Sequence, residues 1–373
     1  MLRALIVTAI VLSSGSVQGE PIASLRFVGG VTLPHNLIVD GTRVGGLSGL
    51  DYDAARDSFL VISDDRSDFA PARLYEMKAI FADGRLKAVD VLSAASLLQS
   101  DGTPYPNGKQ GGDVPDPEAI RLDPLDAEKH WWTSEGDRAR GLKPFLRVTG
   151  RNGKFLGDTA VPDMFTMQPA QERGPRQNLA FEGLSFAVDG RSLWLAMEGA
   201  LYEDGPAATP DAASVARFTH LSRDGKLLGQ YAYPVDSIPG RPAPGKFADN
   251  GVTEILALDE RRLLVVERAA IQGDDGIFRN DIRLYEADLS DASDISAIPA
   301  LAGADYRSMG KRLVANLGAL MAETEPNGAR IDNIEGISWG PLAPNGRRRL
   351  LFVSDDNFNA AQITQVLAFE VMP

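Results

Sequence analysis

Short apolar runs alternate with polar turn residues along this chain, and five stretches repeat one arrangement. They are SGLDYDAARDSFLVISDD (48–65), EAIRLDPLDAEKHWWTSEG (118–136), EGLSFAVDGRSLWLAMEG (182–199), EILALDERRLLVVER (254–268) and EGISWGPLAPNGRRRLLFVSDD (335–356). Each opens on an acid or a serine, turns on polar residues and returns through a β-rich run ending on an acid, the pattern of a strand–turn–strand hairpin. Successive starts lie 70, 64, 72 and 81 residues apart. That period is long for a solenoid and fits one four-stranded propeller blade with its loops. If the outer residues of a hairpin face each other, its turn lies midway between them. The midpoint is Gly190 for Glu182 and Glu198, Asn345 for Glu335 and Asp355, and Arg56 for Ser48 and Asp64. It falls between Asp126 and Ala127 for Glu118 and Glu135, and between Glu260 and Arg261 for Glu254 and Glu267. All five lie in polar turn sequence, so both ends of every hairpin sit on one edge of the sheet.

Two further strand-like runs follow most hairpins, joined at Asp83, Asn152 and Asp224 by Asp-Gly or Asn-Gly signals. The fifth hairpin has only ITQVLAFEV after it, while ASLRFVGGVTL near the N-terminus has no partner. Pairing these two closes the ring and hides sheet edges. The expectation is an all-β chain, a β-propeller of five four-stranded blades closed by the N-terminal strand and forming one domain over 20–373. A six-bladed ring, with a degenerate blade in 168–176 or 290–330, is the alternative. Long loops are expected at 100–116, 163–177, 204–212 and 236–250, and short helical turns near 94–98 and 313–321.

Composition narrows the partners. The 373 residues are 44% hydrophobic, enough for a large core, and carry a formal net charge of −13. Nucleic acid and anionic membranes, which call for a basic surface, are poor partners. MLRALIVTAIVLSSGSVQG has the form of a secretory signal: Arg3, a short apolar core from Ala4 to Leu12, and small residues at Val17 and Gly19 before cleavage ahead of Glu20. Its apolar core is too short to span a bilayer, so a periplasmic or secreted protein with no membrane insertion after cleavage is expected. No cysteine is present, and the histidines are His35, His130 and His220 alone. A metal site here must be built from oxygen ligands, which favours Ca²⁺, or Mg²⁺, over zinc.

In a propeller the first strand of each blade lines the central channel, so the repeat gathers Glu118, Glu182, Glu254 and Glu335 near the axis. Asp64, Glu135, Glu198, Glu267 and Asp355 fall beside them. Two carboxylates about 4 Å apart repel by roughly 4 kcal/mol at an effective dielectric of 20. Bound divalent cations, nearby arginines or protonation must offset this. Arg66, Arg138 and Arg268 follow their acids closely, and Arg176 precedes Glu182. The acids could instead bind backbone N–H groups and arginines and lock neighbouring blades together.

The stretches GGLSGLDYD, SDDR, DPEAI, SEG, NLAFEGLSF, ME, GVTEILAL, VER, NIEGISW and VSDDNF resemble, in this order, the motifs of the bacterial family known as esterase-like activity of phytase. The resemblance runs from about Gly45 to Asn357. It implies a propeller-like fold and hydrolysis of esters or phosphoesters, with Glu118, Glu182, Glu198, Glu254, Glu267, Glu335, Asp355 and Asp356 as the site. The expected partner is a small-molecule ester or phosphoester substrate, and the protein is expected to be a monomer. Carboxylates would hold one or more Ca²⁺ ions, Arg66, Arg138, Arg176 or Arg268 would clamp the substrate, and a remaining carboxylate such as Glu182 or Glu198 would act as base. A non-catalytic binding propeller and a lactonase-like calcium propeller are the alternatives.

Other motifs carry less. GISWG (336–340) matches the G-x-S-x-G elbow of serine hydrolases, but Ser338 lies in a repeat strand where that elbow needs a strand-to-helix turn. The SDD runs lack the glycine and terminal glutamate of an EF-hand loop. Trp131, Trp132, Trp194 and Trp339 read as core between blades, with Trp131 and Trp132 facing opposite sides of one sheet.

Overall fold

In the computed structural model, which describes residues 21–325 and 330–372, the chain is a ring of five antiparallel four-stranded sheets. Blade one holds Leu47–Asp53, Ser58–Ser63, Arg73–Ala82 and Arg85–Ser96. Blade two holds Pro117–Leu122, Lys129–Ser134, Phe145–Gly150 and Phe155–Thr159. Blade three holds Phe181–Phe186, Ser192–Met197, Ser214–Ser222 and Leu227–Val235. Blade four holds Ala248–Ala257, Arg262–Gln272, Phe278–Asp288 and Gly310–Asn316. Blade five takes Asn333–Trp339, Arg349–Asp355 and Gln365–Met372 from the C-terminal part and Ser24–Thr32 from the N-terminal part. The closing strand pairs Ser24 with Met372 and Thr32 with Gln365. The first strand of each blade touches the first strands of the two blades beside it, so these five line the axis.

The alternation of each strand explains the packing, since side chains on its two faces meet different neighbours. Trp131 joins the apolar cluster shared with blade three, whereas Trp132 packs with Ile62, Leu74 and Tyr105 on the blade-one side. Trp194 stacks on His220 at 4.3 Å, and His130 is buried. Phe27, Phe352 and Phe369 pack together where the closing strand seats itself.

The stretches considered for a sixth blade do other work. Residues 290–309 run along the outer edge of blade three, where Ile295 N donates to Gln230 O at 2.8 Å and Met309 N to Ala232 O at 2.9 Å. Residues 168–176 are loop. The expected helical turn near 94–98 is absent: the strand Arg85–Ser96 continues through it, paired to Arg73–Ala82. The second expected turn is a helix, Leu317–Thr324, capped by Asn316, whose side chain accepts from Ala319 N at 3.0 Å. Ser338 lies within a strand, accepting from Tyr52 N at 3.1 Å, and forms no nucleophile elbow. The signal-like segment lies outside the described residues. Among those described, no helix is long and apolar enough to cross a membrane.

Candidate acidic site at the ring mouth

Every blade opens with a β-bulge. Register slips between Leu47 and Gly49, Pro117 and Ile120, Phe181 and Gly183, Val252 and Glu254, and Ile334 and Gly336. A bulge leaves an extra residue unpaired and re-aims its side chain. The extra residues are Ser48, Glu118, Glu182, Thr253 and Glu335. Beside them, at the end of the second strands, stand Asp64, Glu135, Glu198, Arg268 and Asp355. The backbone N–H of Asp64 donates to Gly46 O at 2.8 Å, that of Glu135 to Asp116 O at 2.9 Å and that of Glu198 to Ala180 O at 2.7 Å. Arg268 pairs with Gly251 and Asp355 with Asn333 in the same relative place. The glycine after the bulge has a separate job. A Cβ on Gly336 would lie 3.0 Å from Ser48 O, and one on Gly183 3.1 Å from Ile255 N, so these glycines let adjacent blades approach closely.

Blade four therefore breaks the pattern: it offers Thr253 and Arg268 where blade three offers Glu182 and Glu198. Glu254 and Glu267, expected in the acidic rows, lie one residue inward on each strand, and side-chain alternation turns both away. The turn position does not distinguish the two registers, because Thr253 with Arg268 and Glu254 with Glu267 share one midpoint.

All ten residues of the two rows except Ser48 and Thr253 line a cavity of about 600 Å³ at one mouth of the channel. Asp64, Glu118, Glu135, Glu182, Glu198, Glu335 and Asp355 all face it, with Arg66 and Arg268. Three trios of carboxylates form here: Asp64–Glu335–Asp355, Asp116–Glu118–Glu135 and Glu135–Glu182–Glu198. Within each, one oxygen per residue lies within 4.8 Å of the others, and Glu135 joins two of the trios. Glu118 accepts from Ser48 Oγ at 2.6 Å, Glu135 from Ala180 N at 2.7 Å, and Glu335 from Asn333 Nδ2 at 2.8 Å. The side chains of Asp64 and Glu182 accept no hydrogen bond from any described residue. An all-oxygen donor set with two unengaged carboxylates fits a hard divalent cation.

Electrostatics agree. Burial, reinforced by neighbouring carboxylates, pushes the carboxyls of Glu118, Glu182, Asp64 and Asp355 well above the usual range. Burial and Asp116 push Glu135 up to about 8. Burial also raises Asp116, to about 6, against the pull of Arg66. Two cations answer this charge. Arg66 is ion-paired with Asp116 and donates to Asn178 Oδ1 at 3.1 Å. Arg268 reaches Glu198 at 3.0 Å, Asp249 at 3.5 Å and Glu335 at 3.9 Å. For Arg268, burial works against the charge, but the acids around it win and drive its pKa up.

The remaining sequence candidates sit elsewhere. Glu254 is fully buried and meets Arg121 at 2.7 Å. Arg121 also donates to the carbonyls of Leu50, Ile120, Ile255 and Ile337, tying four first strands together across the axis. Glu267 accepts from Tyr233 Oη at 2.8 Å and from Asn250 Nδ2 at 3.0 Å, and is ion-paired with Lys311. Arg138 donates to the carbonyls of Gln168, Gln171, Arg173 and Pro175 and so holds that loop. Arg176 donates to Gly205 O at 2.7 Å and lies over Tyr202. Asp356 accepts from Gly46 N and Phe358 N, each at 3.1 Å. None of these five lines the cavity.

Sequence reasoning missed Asp116, Asn333 and Asp249, which do line it. The signal was present for two: Asp116 precedes Glu118 by two residues and Asn333 precedes Glu335 by two, a spacing that keeps side chains on one face. The aromatic rim was also missed. Phe69 and Phe358 stack at 4.4 Å, with Arg43 within 5.3 Å of each ring centroid, and Phe247 lines the cavity from the loop before blade four. Asn357 (φ 46°) and Phe358 (φ 52°) are both left-handed. For a bulky residue that conformation costs on the order of 1–3 kcal/mol and persists only where the surroundings enforce it. Here Asp355 accepts from Asn357 N at 2.6 Å, Asp356 from Phe358 N, and Phe358 O accepts from Arg43 at 2.9 Å.

A family model described as "Phytase-like: Esterase-like activity of phytase" matches residues 42–358. No curated protein matches the chain in sequence. Among solved structures, the chain is similar to the periplasmic gluconolactonase PpgL of Pseudomonas aeruginosa (14% identity, 89% of this chain and 90% of that one, TM-score 0.34). It is also similar to the catalytic domain of a GH62 α-L-arabinofuranosidase of Coprinopsis cinerea (13%, 93% and 98%, TM-score 0.44) and to a thermostable family-43 glycoside hydrolase (10%, 90% and 92%, TM-score 0.44).

Proposed function

The chain belongs to the family of esterase-like activity of phytase, and on that premise we propose that it is an exported, cation-assisted hydrolase of small phosphoesters or related esters, working at the acidic mouth. The observation that carries this reading is the set of three carboxylate trios, two of them sharing Glu135, in a cavity that also presents two guanidiniums. Asp64, Glu335 and Asp355, and Glu118, Glu135, Glu182 and Glu198 with Asp116, are the residues that would hold Ca²⁺, with Mg²⁺ as the alternative ion. A divalent cation bound there supplies charge neutralisation and lowers the pKa of a water it holds.

The chain's own side chains supply the rest. Arg66 and Arg268 face the cavity and can orient the oxygens of an ester or phosphoryl group through charge-assisted hydrogen bonds. Arg268 holds Glu198 in place at 3.0 Å. Glu182 accepts no hydrogen bond from any described residue, so while one of its oxygens would hold the cation the other can accept a proton from an attacking water. Arg138 and Arg176, occupied with loop carbonyls, take no part. The Arg121–Glu254 pair bridges the far side of the acidic rows, so substrate enters and product leaves by one mouth.

Metal analysis of the purified protein, with a screen of phosphomonoesters and carboxylic esters with and without chelator, tests this. Bound Ca²⁺ and turnover that chelation abolishes are expected. Undiminished turnover after chelation overturns the cation's role, and a bound cation without turnover of any ester replaces hydrolase with binding propeller. We infer export from the signal-like first 19 residues: the mature protein recovered outside the cytoplasm should begin at Glu20 and run as a monomer on a sizing column.

A further inference from the structure

The cavity wall divides by chemistry. Eleven carboxylates and two guanidiniums occupy its lining, while its apolar part is concentrated in Phe69, Phe358, Phe247, Leu179, Ala207 and Ala208. Phe69 is 59% exposed and Phe247 56%, and unlike the chain's scattered exposed apolar side chains these open on one cavity together with Phe358. Phe358 is not there by default. Two consecutive left-handed residues present it, and its ring lies on Gly45 and Gly46, where a Cβ would come within 2.9 and 2.8 Å of it. Arg43 lies against both rings of the stack and donates to Phe358 O. Strain held by several independent contacts, at the rim of a cavity, marks a surface kept for binding.

Charge sets the other half of the argument. The cavity's two guanidiniums, Arg66 and Arg268, are already ion-paired with Asp116 and Glu198, so in a field dominated by carboxylates the protein offers a ligand bearing many phosphates few free positive groups. An aromatic face costs such a field nothing and excludes water from one side of the reacting group.

Resting on the hydrolase reading above, we infer that the Phe69–Phe358 stack is the subsite for a flat apolar group next to the scissile bond, and that the substrate is an ester with no more than one anionic group. Phe247 extends the same apolar surface from blade four.

Matched substrates test this. Benzyl acetate against ethyl acetate, and benzyl phosphate against ethyl phosphate, differ in ring but little in leaving-group basicity. The benzyl member of the pair that turns over should have the higher kcat/KM. Phe69→Ala and Phe358→Ala should each lower that value about tenfold while changing the ethyl ester about twofold or less. Phe69→Leu, which keeps an apolar side chain without the ring, should fall between, and circular dichroism melting confirms that each variant is folded. Inositol hexakisphosphate should not compete with the benzyl substrate. Equal loss for benzyl and ethyl esters, or competition by the hexakisphosphate, overturns the subsite while leaving hydrolysis standing. Calorimetric binding of benzyl alcohol, lost in Phe358→Ala, reports the subsite without turnover; with no ester hydrolysed it sustains the subsite and removes the hydrolase. No binding of benzyl alcohol to the wild-type protein overturns the inference.

Discussion

Blades three and four carry the same outward pattern, an acid at each end of a hairpin, and put it to opposite use. In blade three the bulge delivers Glu182 to the cavity and the second strand ends on Glu198 beside it. In blade four the bulge delivers Thr253, the second strand brings Arg268, and Glu254 and Glu267 are folded into closed pairs with Arg121 and Lys311. A shift of one residue in a strand exchanges its two faces. The difference shows that acids at matching places of a repeat meet different surroundings, set by which strand face the bulge turns to the cavity. Glu254 and Glu267 tie strands together. Glu182 is left with Glu198, Glu135 and Glu335 around it and no hydrogen bond from a described residue, the condition a bound cation would relieve.

The comparison breaks most visibly at Arg121. Arg121→Met leaves Glu254 and four backbone carbonyls without their partner, and should cost about 3–5 kcal/mol in urea unfolding. The double variant Arg121→Met/Glu254→Met should recover much of that loss. A single variant costing less than about 1 kcal/mol means that Glu254 is not held as a buried pair.

Next come the two matched amide substitutions. Glu182→Gln should abolish or sharply weaken Ca²⁺ binding measured by calorimetry, while leaving the metal-free protein as stable or more so, since it removes a repelled charge. Glu254→Gln should do the reverse: about 1–3 kcal/mol of stability lost and Ca²⁺ affinity unchanged. Identical behaviour of the two variants would erase the distinction between the blades.

The acidity of the metal-free protein sharpens the same contrast. Glu135 is raised to about 8 and Asp116 to about 6, chiefly by burial. A carboxyl that holds its proton more tightly folded than unfolded favours folding at low pH. Its contribution is complete below the unfolded-state values of 4.5 and 3.8 and is lost as pH rises through 6 and then 8. The Tm of chelator-treated protein should therefore fall from pH 5 to pH 8.5, and added Ca²⁺ should raise it more at pH 8 than at pH 5.5. A Tm that climbs across this range without metal contradicts the clustered acids.

The smallest effect is expected at the rim. Phe358→Gly relieves the left-handed backbone at φ 52° but gives up the stack on Phe69. The two changes oppose each other, so chemical denaturation should place this variant within about 1 kcal/mol of the wild type. A loss of several kcal/mol would make Phe358 a structural anchor.

The five hairpins, their order and the closure by the N-terminal strand were legible because they rest on local signals: alternation with period two, and turn residues that favour reversal. Most of the acidic row was legible for the same reason, since a repeat places equivalent residues at equivalent points of a ring. What the linear pattern could not decide was which of two adjacent positions faces the channel in blade four. Bulges depend on how neighbouring strands pack, and the spacing 254/267 has the same centre as 253/268. Nor could it reveal that Arg138 and Arg176 are consumed by loop carbonyls, or that Phe69 and Phe358, far apart in sequence, stack at one rim. Strand, turn and blade order belong to short stretches of chain, so the sequence alone determined them. The partner each charge finds depends on chain segments brought together only when the ring closes, and that was for the tertiary structure to decide.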